Sequence, residues 1–357
     1  NLGNALQKSK RIEDAVTRFH SALDLQPKNV TILLNLSKNL LRLGEYHKAL
    51  AYLEKARDLS PENASVAMVD TLALPVIYNS AEEIVTARER LTSKLAEMEN
   101  QTWYIVDPAT TVGQTNFFLA YQGANDKDIQ SRVAALYLKS CPDLAFVADH
   151  CRPYKRGVGK RIKLGFVSAF LGKHTIGKLF QGLINGLDRS QFEIIVFHLG
   201  PDQRLEDKYL ATLSDHVDHF LCVTSQYLQA RMTISETELD IIYYTDIGME
   251  PVSYFLAFSR LAPVQCACWG HPVTTGIPNV DYFISWQIHE PKAASQHYSE
   301  ELILFSGFCT NYYPPSFTSS IKGREAFGLS PDVNLYVCPQ SLFKFHPMFD
   351  DMLADIL

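Results

Sequence analysis

The chain has no run of about 18 consecutive apolar residues, the length an α-helix needs to cross a bilayer, so a membrane-spanning helix is excluded. It has no basic segment followed by an apolar stretch at its start, the mark of a secretory leader. Basic residues are not in excess: 33 Lys and Arg stand against 39 Asp and Glu, a formal charge of −6. That balance argues against a nucleic-acid binder that works by neutralising phosphates. The seven cysteines include no CxxC pair, which fits a reducing, cytoplasmic setting better than a disulfide framework. Cys266 and Cys268 alternate within an apolar run, so both face one side of a strand and are expected in the core. His216 and His219 flank Asp218 without a third ligand at useful spacing, and no metal site is expected. What is present is an ordinary globular composition, 46% hydrophobic and 20% charged over 357 residues, enough for two or three domains.

A period of 34 residues governs the first part. Ala15, Phe19, Ala22 and Pro27 recur as Ala49, Leu53, Ala56 and Pro61, and Leu2 and Leu6 recur as Leu36 and Leu40. Small alanines let antiparallel helices approach closely, and each proline ends its unit because it cannot continue a helix. Gly44-Glu45-Tyr46 falls where the turn between paired helices belongs. Residues 1–64 resemble two tetratricopeptide repeats. Two such units are fewer than usually stand alone, so further repeats before Asn1 or capping helices after them are expected. FDDMLADIL at the other end has the pattern of an uncapped helix, and the sequence reads as a fragment.

Residues 65–151 stay helical in pattern but lose the period, as an irregular helical spacer would. CRPYKRGVGKRIK then gathers Arg152, Lys155, Arg156, Lys160, Arg161 and Lys163, a solvated linker or a surface for an anionic partner. Beyond it the apolar runs KLGFVS, FEIIVFHL, HFLCV, DIIYYTD, VQCACWG, DYFIS, ELILF and NLYVC appear, most of them separated by helix-length segments. That alternation predicts a parallel sheet wound with helices, a Rossmann-like α/β domain. Ligands bind such sheets beyond the carboxyl ends of the strands, in loops 168–177, 246–251, 269–276 and 339–344. The first of these, GKHTIGKLF, is most of a P-loop, but Leu179 follows Lys178 where Ser or Thr must hold magnesium, and the loop itself is bulky.

Taken together, RIKLGFVSAFLGKHTIGKLF, DIIYYTDIGMEPVSYFLAFSRLAPVQCACWGHPVTTGIPNVDYFIS, HYSEELILF and CPQSLFKFHP resemble the SPINDLY-like protein O-linked N-acetylglucosamine transferases. The resemblance covers nearly the whole chain and includes the repeats. It implies an α plus α/β architecture: tetratricopeptide repeats (1–64), a helical spacer (65–151), and a Rossmann-like lobe (152–329). Residues 330–357 would begin the second, nucleotide-binding lobe of a two-lobed GT-B transferase. The implied reaction is inverting, metal-independent transfer of N-acetylglucosamine from UDP-GlcNAc to Ser or Thr, without a cofactor. Glucose transfer to Asn, fucose transfer from GDP and a non-catalytic adaptor stand as alternatives. The implied partners are a polypeptide acceptor on the repeats, a sugar nucleotide and a second copy of the chain, with neither nucleic acid nor membrane.

Such a transfer needs a partner for the departing diphosphate and a group that handles the acceptor proton. By resemblance His174 is the active-site histidine of the first loop, and histidine titrates in the useful range; a buried or helix-capping histidine is the other reading. Asp246, the other catalytic candidate, ends a strand where the family has Asp or Asn before Gly-His-Thr; here Met249 and Glu250 follow Gly248, and that histidine is missing. A helix cap is the other reading of Asp246. Gly270, His271, Pro272, Thr274 and Thr275 form the loop that borders sugar and phosphate in the family, where many relatives read Gly-Tyr-Pro. Its threonines could instead bond their own turn. Lys344 matches the lysine aimed at the donor diphosphate. Gln340 is a weaker donor contact, since relatives carry glutamine one position later, at Ser341.

Overall fold

The structure, a computed structural model, describes residues 2–9, 11–152, 160–308, 310–314 and 322–356. Its first part is two helical hairpins, α1 (Leu2–Lys8) with α2 (Ile12–Leu25) and α3 (Val30–Arg42) with α4 (Tyr46–Leu59). Ala15, Ala49, Leu53 and Ala56 are fully buried and Phe19 nearly so, which is why small residues recur at those positions. Gly3 lies against the Phe19 ring, where a Cβ would stand 2.8 Å from Cζ. Asn29 and Asn63, also 34 residues apart, cap the helices that follow them by accepting from the amides of Ile32 and Val66 at 3.2 and 3.1 Å.

Residues 65–151 form α5 (Ala64–Thr71), α6 (Ala81–Glu99), the single turn α7 (Pro108–Thr111), a 3-10 turn at 117–121 and α8 (Lys127–Ser140). One buried cluster runs without a break from Ala15 and Leu53 through Leu91 and Tyr137 to Tyr254 and Phe283. Tyr137 meets Phe255 edge-on at 4.9 Å between ring centres. The helices between repeats and sheet therefore share a core with both, a closer union than a spacer implies.

The sheet has seven parallel strands in the order β3-β2-β1-β4-β5-β6-β7. They are β1 (Ile162–Ser168), β2 (Phe192–Leu199), β3 (His219–Val223), β4 (Ile241–Tyr244), β5 (Val264–Cys268), β6 (Tyr282–Trp286) and β7 (Glu301–Phe305). The central strands β1, β2, β4 and β5 are buried on both faces and read as continuous apolar runs, which explains their visibility in the sequence, whereas β3 and β7 at the edges are more exposed. Helices α9 (Thr175–Gly186), α10 (Lys208–His216), α11 (Tyr227–Ser235) and α12 (Pro251–Leu256) make the crossovers up to β5. Cys266 and Cys268 are buried in one cluster, as alternation requires, and Cys268 Sγ donates to the carbonyls of Tyr244 and Thr245 at 3.6 and 3.4 Å. Residues 334–338, expected as an eighth strand, are exposed and pair with no strand among the described residues. With no neighbour to take its backbone hydrogen bonds, an apolar run does not become a strand. The last helix is α13 (Met348–Ile356).

In the basic cluster, Arg161 donates to Asp218 at 2.8 Å and Lys163 to the carbonyl of Thr237 at 3.0 Å. Lys155 and Arg156 lie outside the described residues.

Candidate functional site

The strand order reverses between β1 and β4, so the loops leaving their carboxyl ends diverge and open the crevice where α/β sheets bind ligands. Asp246 and His174 sit in those two loops. Asp246 is fully buried, and its carboxylate accepts from Ser168 Oγ at 3.0 Å and from Thr245 Oγ1 at 3.2 Å. Ser168 Oγ accepts in turn from the Phe170 amide at 2.9 Å, so Asp246 ties the β4 end to the start of the β1 loop. Burial pushes the Asp246 carboxyl up to about 7, against the opposing pull of those hydroxyls. It does not cap the next helix. Glu250 does, accepting from the Ser253 amide at 2.8 Å.

His174 is the N-cap of α9: its Nδ1 accepts from the Ile176 amide at 3.2 Å, and its ring lies 4.7 Å from that of Phe170. A neutral imidazole whose Nδ1 accepts must carry its proton on Nε2, which makes Nε2 a donor in this state. Lys178, one turn on, is exposed.

The loop after β5 meets both elements. A Cβ at Gly270 would collide with the carbonyl oxygen of Thr245 and stand 3.2 Å from Ile176 Cδ1, so only glycine lets the loop come this close. His271 is 3% exposed, and its ring stacks on Phe117 at 5.0 Å and 16°. It presses on Gly248, whose φ of +100° also demands glycine. His271 Nε2 has no hydrogen-bond partner among the described residues, and burial drives the ring down to about 4, so it is neutral at pH 7. Pro272 is exposed. Thr274 and Thr275 turn their hydroxyls to Glu300: Thr274 Oγ1 donates to Oε2 at 2.6 Å, while the amide of Thr275 (at 2.8 Å) and its hydroxyl donate to Oε1. These donors satisfy a carboxylate that is only 6% exposed, and they fix the loop.

Lys344 and Gln340 are exposed. Lys344 is carried by a short turn, 342–344, whose Phe343 meets Phe117, Phe118 and Tyr121 edge-on at 6.0, 5.7 and 5.2 Å. The Lys344 ammonium lies 5.9 Å from the centre of the Tyr121 ring. Phe117 thus touches both His271 and the turn bearing Lys344. The loops of His174, Asp246 and Gly270-His271 meet directly, Lys344 joins them through the aromatic cluster, and Gln340 stays outside. Phe117 and Glu300, on which two of these loops rest, were not singled out in the sequence. The one signal for the first was three aromatics in FFLAY, and a lone glutamate gives none. Among the described residues, no three His, Cys, Asp or Glu side chains gather as a metal-binding group.

Helical repeats leading into a parallel sheet, with its site at the switch between β1 and β4, define the first lobe of a repeat-bearing GT-B glycosyltransferase. The profile of glycosyl transferase family 41 matches residues 116–311, and a tetratricopeptide repeat profile matches residues 1–62. The chain belongs to glycosyl transferase family 41. It is similar to a probable UDP-N-acetylglucosamine–peptide N-acetylglucosaminyltransferase, SEC, of Arabidopsis thaliana, at 24% identity over 57% of this chain and 22% of that protein. A probable UDP-N-acetylglucosamine–peptide N-acetylglucosaminyltransferase of Petunia hybrida, SPINDLY, is 23% identical over 48% of this chain and 18% of its own length. A mutant O-GlcNAc transferase of Thermobaculum terrenum shares the fold, with a TM-score of 0.63 at 20% identity over 99% of this chain and 64% of that one. The matched stretches thus cover less than two thirds of each relative.

Proposed function

We propose that this chain is part of a protein glycosyltransferase that moves N-acetylglucosamine from UDP-GlcNAc to Ser or Thr of polypeptides, inverting the anomeric centre without a metal. The acceptor oxygen forms the new bond to the anomeric carbon, the bond to UDP breaks, and the acceptor hydroxyl gives up its proton. The observation that carries this reading is the meeting of the His174, Asp246 and His271 loops at the sheet's switch point. His174 faces donor and acceptor. It takes a proton only by giving up one of its two present roles, the N-cap at Nδ1 or the donor at Nε2. Asp246, buried and doubly bonded, is a positioning residue that holds the β1 loop. The backbone and exposed Pro272 of the loop after β5 border the donor, since the hydroxyls of Thr274 and Thr275 are committed to Glu300. Lys344, a mobile point charge, meets the diphosphate, with Gln340 beside it.

The repeats carry the acceptor and also pair two copies of the chain, and the protein works in the cytoplasm. No helix among the described residues is long and apolar enough to cross a membrane. The test is mass spectrometry of Ser-, Thr- and Asn-containing peptides incubated with the chain and UDP-GlcNAc, UDP-glucose or GDP-fucose. A gain of one N-acetylhexosamine on Ser or Thr, abolished by His174→Ala, is expected. Transfer of another sugar, transfer to Asn, or no dependence on His174 refutes the assignment.

A further inference from the structure

Where the repeats meet the sheet lies a cavity of about 180 Å³, walled by α3, by the loop 113–118 and by Met249 and Pro251 after β4. Small-molecule sites begin at roughly 300 Å³, so this one has room for a side chain and not for a sugar nucleotide. Two cations reach it from the repeat helix, Lys38 and, one turn on, Arg42. Lys38 is 7% exposed and donates to the carbonyls of Thr110 and Thr111 at 3.0 and 3.1 Å, which accounts for two of its three protons. Arg42 makes no hydrogen bond or ion pair among the described residues, and no carboxylate lies within ion-pair distance of Lys38.

Like charges four apart on a helix repel, and burial adds to the cost. Burial, and then Arg42, push the Lys38 ammonium down to about 8. Asp107 is the acid that acts on Lys38, but no carboxylate is in ion-pair contact with Lys38 or with the exposed Arg42, which leaves room for one from outside. On the far wall Thr115 Oγ1 donates to the Gly248 carbonyl, and Phe117 stacks on His271. A group in the cavity is therefore one ring away from His271.

We propose that this cavity takes an acidic side chain of the polypeptide acceptor, its carboxylate between Lys38 and Arg42, so that acceptors with Asp or Glu near the modified residue are preferred. The inference rests on the transferase reading for the word acceptor, but its test needs no donor. Two fluorescein-labelled dodecapeptides, each with a central Ser flanked by Glu in one and by Gln in the other, are titrated with the 357-residue chain and followed by anisotropy. The Glu peptide is expected to bind about five- to tenfold tighter, as a charge-assisted contact out of full water allows. Arg42→Ala, at an exposed position, removes the preference without weakening the Gln peptide, and Arg42→Lys restores part of it. Equal affinities, or a preference that survives Arg42→Ala, overturn the proposal. Inorganic phosphate that binds more tightly than the Glu peptide, in an Arg42-dependent manner, overturns it too, since the cavity would then belong to a phosphate. A Glu preference in a chain that transfers another sugar, or transfers to Asn, upholds the cavity and refutes the N-acetylglucosamine assignment alone.

Discussion

Replacing His271 by phenylalanine isolates the titration of one buried ring. The substitution keeps an aromatic plane on Phe117 and removes the nitrogen that has no partner. In the folded chain the imidazole is held down at about 4, whereas unfolded it returns to its ordinary value of about 6.5. Between those values the unfolded state binds more protons, so stability falls as the medium is acidified from about pH 7 and levels off below about 4. The loss specific to His271 is about 2 kcal/mol at pH 5 and about 3 kcal/mol at pH 4. Any cost of fitting the larger phenyl ring against Gly248 is the same at every pH and shifts the variant's curve without tilting it. Urea unfolding followed by tryptophan fluorescence, at four pH values for both proteins, gives the difference directly; Trp269 and Trp286, 5.1 Å apart, report from the sheet. The stability gap between wild type and His271→Phe must move in favour of the variant as pH falls. Parallel curves would mean that the ring is wet, protonated or partnered in solution, and the argument for a neutral, buried His271 would fail.

The carboxyl of Asp246 tilts the other way. Its folded value is raised to about 7, so relative to Asp246→Asn the wild type should gain about 4 kcal/mol as pH falls from about 8 to about 4, read by the same urea curves. His174→Ala should cost about 1 kcal/mol of stability through the lost N-cap, and transfer should fall by a factor of about 10² or more. His174→Asn restores the cap, so thermal melts return to wild type while transfer stays low; recovery of transfer would reduce His174 to its structural part. Glu300→Gln leaves one of the Thr274 and Thr275 hydroxyls without its acceptor and should lower stability by about 1–3 kcal/mol in thermal unfolding. Gly276→Ala, at φ +69° and against the Gln130 backbone, should be at least as damaging, and a variant with unchanged stability would mean the loop packs elsewhere.

The repeats and the parallel strands were legible because each leaves a period in the sequence: 34 residues for a stacked hairpin, and unbroken apolar runs for strands covered on both faces. The positions of His174, Asp246 and the Gly270 loop followed from strand ends. What holds them did not. Thr115 reaches Gly248 across 133 residues, and no local pattern records such a contact. For His174 a site role and a helix cap were rival readings, and only the extended backbone ahead of α9, φ −139°, decides that it is the cap. The threonines of the Gly270 loop looked available for a ligand until Glu300, 25 and 26 residues away, was seen to take both. NLYVC has the composition of a strand, but composition supplies only half of a ladder.

The unbroken core from Ala15 to Phe283 has a mechanical meaning. A free repeat array behaves as a spring, each unit tied only to its neighbours and able to flex or fray by itself. Here the last coil is welded to the frame. A displacement of α3 is delivered to the β4 loop without slack, and heat should melt repeats and sheet in a single calorimetric peak. The same weld makes the two parts poor candidates for recombination: repeats grafted from another protein would have to bring with them the surfaces of Leu91 and Tyr137 that fasten them to the floor of the site.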